Sequence, residues 1–113
     1  MESILISVKK MLGIAEDYKH FDADLIMHIN SVLMVLTQLG VGPADGFFIE
    51  DDKLFWEDFL EGDLSLELVK SYVYLKVKML FDPPISSAAM EAANRMIAEF
   101  EWRLTVAADT KEG

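Results

Sequence analysis

The chain has 113 residues, of which 52 % are hydrophobic and 11 % aromatic, a length and composition that suit one folded domain and exclude intrinsic disorder over most of it. It has no cysteine and a formal net charge of -10, which exclude disulfides and thiolate chemistry and count against DNA or an anionic membrane as an adhesive partner. No apolar run approaches the ~20 residues that cross a bilayer, and Met1-Glu2-Ser3 lacks the basic start of a signal peptide, so the chain is expected in the cytoplasm when made.

The first predicted helix runs from about Ser3 to Leu12. Ile4, Leu5, Val8, Met11 and Leu12 recur at helical spacing, and Gly13 stands where a left-handed C-terminal cap is wanted. The second is predicted over 22–39, with Asp22 as N-cap and Asp24 facing the positive end of the helix. Leu25, Ile29, Val32, Leu36 and Leu39 form its apolar stripe, Ile26 and Leu33 widen it, and Gly40 ends it.

From Val41 to Gly62 the pattern is less regular. Gly42-Pro43 and Asp45-Gly46 signal turns. Phe47-Phe48-Ile49 suits a short extended stretch, and Leu54 to Leu60 a short helix burying Phe55 and Phe59. A third long helix is predicted over 65–81. One stripe (Leu68, Tyr72, Leu75, Met79) lies beside another (Leu66, Val69, Val73, Leu80), a breadth that places this helix centrally. Asp82-Pro83-Pro84 stops it, because proline lacks an N–H and restricts the residue before it. Ser86 or Ser87 then caps a last helix over 87–106, with Met90, Ala93, Ile97, Phe100 and Leu104 on its core side. The predicted fold is all-α: a four-helix bundle with a short irregular, in part extended, segment between helices 2 and 3. Residues 1–108 form the single domain and 109–113 a polar tail that frays.

Charge is unevenly placed. Asp45, Glu50, Asp51, Asp52, Glu57, Asp58, Glu61 and Asp63 are opposed within their segment by Lys53 alone, whereas Lys70, Lys76 and Lys78 follow on one helix. Such asymmetry can orient identical subunits on each other.

The candidate chemical sites are weak. Asp24 and His28 are four apart, but no third metal ligand is evident, and a plain surface pair accounts for them. Glu50-Asp51-Asp52 fails the spacing of a calcium loop. Neither a phosphate-binding glycine loop nor a nucleophile elbow is present, and Glu57, Asp58, Glu99 and Glu101 are not arranged as catalytic pairs. No catalytic, cofactor or metal residue is expected. The methionines suit core filling. Trp102 resists such a reading: with Ile97 as core direction, Phe100 and Leu104 fall within about 60° of it and Trp102 about 140° away. Such a tryptophan either covers a neighbouring loop or belongs to an interface. Tyr74 raises the same question more weakly.

Several stretches together are familiar: Val8-Lys9-Lys10-Met11-Leu12-Gly13-Ile14, Asp24-Leu25-Ile26-Met27-His28-Ile29-Asn30-Ser31, Gln38-Leu39-Gly40-Val41-Gly42 and Leu54-Phe55-Trp56-Glu57-Asp58-Phe59. They are followed by a Tyr72-Val73-Tyr74-Leu75-Lys76-Val77-Lys78 block closed by Phe81-Asp82-Pro83-Pro84, and by Glu99-Phe100-Glu101-Trp102-Arg103-Leu104. From about residue 4 to 104 the chain resembles the helical head–tail connector (head-completion adaptor) family of tailed bacteriophages and prophages. The resemblance implies a structural protein that forms a ring, dodecameric in the virion, beneath the portal. That ring extends the DNA channel and presents a platform to the next neck or tail component. The implied location is the virion neck, with the host cytoplasm before assembly, and the implied partners are itself, the portal and the next neck protein; DNA passes through without specific binding and no membrane is involved.

On this reading Trp102, Arg103, Lys70, Lys76, Lys78 and Tyr74 are candidates for the subunit or portal interface. Glu50, Asp51, Asp52, Glu57 and Asp58 are candidates for an acidic channel lining that repels phosphate and lets the duplex slide. Two other classes compete. An acidic inhibitor would bind a basic partner protein as a small stoichiometric complex and would not form rings. A small helical enzyme using His20 or His28 would lose its activity when both are replaced by alanine.

Overall fold

In the computed structural model, which describes residues 2–60 and 66–112, the chain is all-α, with helices α1 (Ile4–Met11), α2 (Asp22–Gln38), α3 (Trp56–Phe59), α4 (Leu66–Phe81) and α5 (Ser87–Glu112). No strand occurs among the described residues; a single bridge joins Ser3 to Phe55. The four longer helices are those expected. Ser65, the expected start of α4, and the acids Glu61 and Asp63 lie outside the described residues.

α1 and α2 end alike, for one physical reason. Gly13 and Gly40 take positive φ (79° and 88°), which turns the chain so that two trailing N–H groups reach back to orphan carbonyls. Gly13 N donates to Lys10 O and Ile14 N to Lys9 O; Gly40 N donates to Thr37 O and Val41 N to Leu36 O. Val41 and Leu36, brought together by the second of these turns, are both fully buried.

At their starts α1 and α5 follow expectation and α2 does not. Ser3 caps α1, its Oγ accepting from Ile6 N. Asp22 is not the N-cap of α2: Phe21 holds that position without a side-chain bond, and the Asp22 carboxylate lies 2.8 Å from Lys9 Nζ instead. The Phe21 ring meets Phe81 edge-on at the far end of α4. Ser86 Oγ accepts from Ala89 N at the start of α5. That helix runs to Glu112, past the end expected near 106. At 1.5 Å per residue its 26 residues span about 39 Å, close to the 43 Å longest dimension of a molecule only 20 Å thick.

α4 lies at the centre and packs on α1, α2 and α5. Its buried line is Val69, Tyr72, Val73 and Val77, drawn from between the two expected stripes, with Leu80 left exposed. Against it pack Ile4, Leu5 and Val8 of α1, Leu25, Ile29, Val32, Leu33 and Leu36 of α2, and Ile97 and Leu104 of α5. Leu36→Ala, a large-to-small change at a fully buried position, is expected to lower the unfolding free energy by about 2–5 kcal/mol in urea titrations; a loss below ~1 kcal/mol would place the core elsewhere.

The segment from Val41 to Leu60 closes the bundle without forming a strand at Phe47–Ile49. Asn30 on α2 holds it by both amide atoms, Nδ2 donating to Ile49 O at 2.9 Å and Oδ1 accepting from Ile49 N at 2.7 Å. Gly42 has φ of 84° and sits where a Cβ would run into the Phe59 ring. The short helix buries Phe59 and, in place of the expected Phe55, Trp56. Phe55 is half-buried because the α3 turn directs the following residue inward.

Candidate functional site

The residues singled out from the sequence fall into three groups on the folded chain. The first is basic. Lys70, Lys76 and Lys78 share α4, yet each has an acid of its own chain nearby: Glu2 at 2.7 Å, Glu101 at 3.9 Å and Asp82 at 3.8 Å respectively. The stretch is thus largely neutralised internally and is no bare cationic strip. Tyr74, on the same helix, is half-buried. Glu101 also accepts from Tyr72 Oη at 2.7 Å. Burial and the Glu101 carboxylate together hold the Tyr72 phenol above its ordinary range, so it remains a neutral donor.

The second group is acidic. Asp45, Glu50, Asp51, Glu57 and Asp58 are exposed and Asp52 is half-exposed. Two of these carboxylates also shape the chain: Asp51 Oδ1 accepts from Lys53 N, and Asp58 Oδ2 accepts from Phe55 N at the start of α3. The free concentration of negative charge on this loop is a surface feature, with Lys53 the cation among it.

The third group is on α5. Trp102 is 68 % exposed, the most open aromatic among the described residues. Arg103 beside it is exposed and bonds Glu99 at 2.8 Å, one turn back. Arg95, two turns before Arg103, is exposed and forms no ion pair among the described residues.

A fourth surface has no counterpart in the sequence reading. Four of the seven methionines are exposed: Met11, Met27, Met34 and Met96. They are therefore not core filling. Met27 and Met34 border a groove of about 550 Å³ along the outer side of α2. A second groove of about 450 Å³ lies between α2 and residues 44–48 and shares Asn30 and Met34 with the first. Phe48 closes its far side. The signal was present in the seven-residue spacing of Met27 and Met34, which puts both opposite the Leu25–Leu36 stripe.

His20 and Asp24 are exposed and His28 is half-buried. Among the described residues, no three potential metal ligands gather in one place. No helix there is long and apolar enough to cross a membrane.

Uncovered apolar and aromatic side chains thus stand on α2, on α5 and at Phe48, and contiguous patches of that kind mark surfaces that meet other proteins. The chain belongs to the phage connector protein family, a family of structural proteins whose model matches residues 4–111. The resemblance carried by the motifs is thereby borne out over nearly the whole chain. No curated protein and no solved structure matches it.

Proposed function

We propose that the protein is a head–tail connector subunit that assembles as a ring, dodecameric in the virion, beneath the portal. There it extends the DNA channel and offers a platform to the next neck or tail protein. Family membership over residues 4–111 is the observation that carries this reading. The acidity supports it: a lining built from Glu50, Asp51, Asp52, Glu57 and Asp58 would repel the phosphate backbone and let the duplex slide. The intermolecular surface is built around Trp102 and Arg103, with Tyr74 and the α4 lysines Lys70, Lys76 and Lys78 at its margin. The subunit is made in the host cytoplasm and resides in the virion neck.

Removing the protein from an otherwise intact phage is expected to leave DNA-filled heads without tails, visible by electron microscopy and restored by supplying the chain in trans. Normal tailed particles in its absence would reject the connector role. Trp102→Ala gives a sharper result. Because the side chain is mostly in solvent, its loss should shift the melting temperature by no more than ~2 °C, in line with surface substitutions near ±0.5 kcal/mol. Attachment to portal-bearing heads should nevertheless fail. A variant that melts several degrees lower and still docks would assign Trp102 to the fold.

A further inference from the structure

Two apolar faces of this chain have no covering within it. On α2, Met27 and Met34 are 59 % and 63 % exposed, and Phe48, also 63 %, stands across the groove from Met34. On α5, Trp102 and Val106, one turn apart, are 68 % and 43 % exposed. Both helices pack on α4, and on each the exposed residues lie opposite the buried stripe. The two faces therefore point away from α4, and neither can reach the other inside one subunit.

Their rims differ in charge. Exposed Asp24 lies three residues before Met27 on α2, Asp45 lines the second groove, and Glu50 and Asp51 border Phe48 together with a single cation, Lys53. The α5 face carries both arginines of the chain, Arg95 and Arg103, with Glu91 and Glu99 among them. In a protein of net charge -10, the arginines thus stand beside the exposed tryptophan, and the other face offers acids without a neighbouring arginine.

From these features we infer that the occupant of the α2 groove is a second copy of this chain, presenting its α5 face. Trp102 and Val106 of one copy seat against Met27, Met34 and Phe48 of the next, and Arg95 and Arg103 approach the acidic rim. Tryptophan and arginine are the side chains that most often dominate binding energy, and methionine adapts to the shape it receives. Because the two faces are different, the contact is head to tail, the kind that closes into a ring when its rotation permits. The contact rests on the connector reading and names the surfaces through which the ring would form.

Two double variants test it. Met34→Asp with Phe48→Asp disables the groove; Trp102→Glu with Val106→Glu disables the inserted face. All four side chains are exposed, so thermal melts should stay close to that of the natural chain, and glutamine replacements serve if a charged version unfolds. In sedimentation up to about 1 mM protein, the natural chain should associate beyond a dimer. Each variant alone should associate roughly tenfold more weakly or worse. An equal mixture of the two should form a heterodimer and nothing larger, because one intact face of each kind remains. The pairing is overturned by a natural chain that stays monomeric, by either variant associating like the natural chain, or by a mixture that stays unassociated. Attachment to portal-bearing heads scores the connector reading separately: a chain that attaches while the mixture stays unassociated retains that reading and loses this one.

Discussion

Trp56→Ala is expected to cost about 3–5 kcal/mol, a large share of the ~5–15 kcal/mol that holds a typical domain folded. Trp56 is almost completely buried, and its Nε1 donates to Ser7 Oγ at 2.8 Å across 49 residues of sequence. Ser7 Oγ donates in turn to Ile4 O. The indole therefore joins the connecting segment to α1 by packing and by a hydrogen bond at once. Calorimetry should show a melting temperature lowered by on the order of 15 °C. Trp56→Phe keeps much of the volume and loses the donor, so it should cost about 1–3 kcal/mol. If alanine and phenylalanine cost the same, the hydrogen bond carries the contribution and packing does not. A loss under ~1 kcal/mol for alanine would contradict the burial itself.

Lys9→Met is expected to be comparably severe, at about 3–5 kcal/mol, because it removes one partner of a buried ion pair. Lys9 is 1 % exposed. Its ammonium donates to Glu16 O at 3.0 Å and Tyr18 O at 2.7 Å and lies 2.8 Å from the Asp22 carboxylate. Methionine preserves the length of the stem and removes the charge, leaving the carboxylate and two carbonyls without their donor. Asp22→Asn should cost less, since both carbonyls still hold the ammonium. The two changes combined should cost clearly less than their sum, the signature of groups that act on each other. Additive costs in urea denaturation would show that Lys9 and Asp22 do not interact.

These two residues also show where sequence reasoning reaches and where it stops. The α2 stripe, the stop at Pro83-Pro84 and the turns at Gly13 and Gly40 are local: periodicity and backbone sterics decide them within a few residues. Lys9 follows no such rule. A lysine between Val8 and Lys10 on an amphipathic helix reads as solvated, and its burial depends on carbonyls presented by a turn that carries no pattern of its own. Trp56 was visible only as part of a familiar motif, since its place in the core depends on the phase of a helix just four residues long. The candidate interface was legible at Trp102, because one misplaced aromatic stands out against a regular stripe. Its counterpart on α2 was missed because methionine suits core and surface alike. The lysines of α4 read as a basic strip in sequence, and Glu2 and Glu101, distant in the chain, neutralise two of them in the fold.

The two ends of α1 are fastened over very different lengths of chain. Its C-terminal end is tied by Lys9 to residues 7 and 9 positions away. Its N-terminal end depends on Ile4 N donating to Leu54 O and on Trp56 N donating to Glu2 O. Ser7 waits for Trp56, and Glu2 for Lys70, across 49 and 68 residues. During synthesis the α1–α2 hairpin can therefore close early, while the N-terminal end of α1 waits for residues 54–56 and then for Lys70. Local loops close at small entropic cost and distant ones at greater cost. The N-terminal end of α1 is thus secured later than its C-terminal end, and an interruption of synthesis before residue 54 would release a hairpin with that end still open.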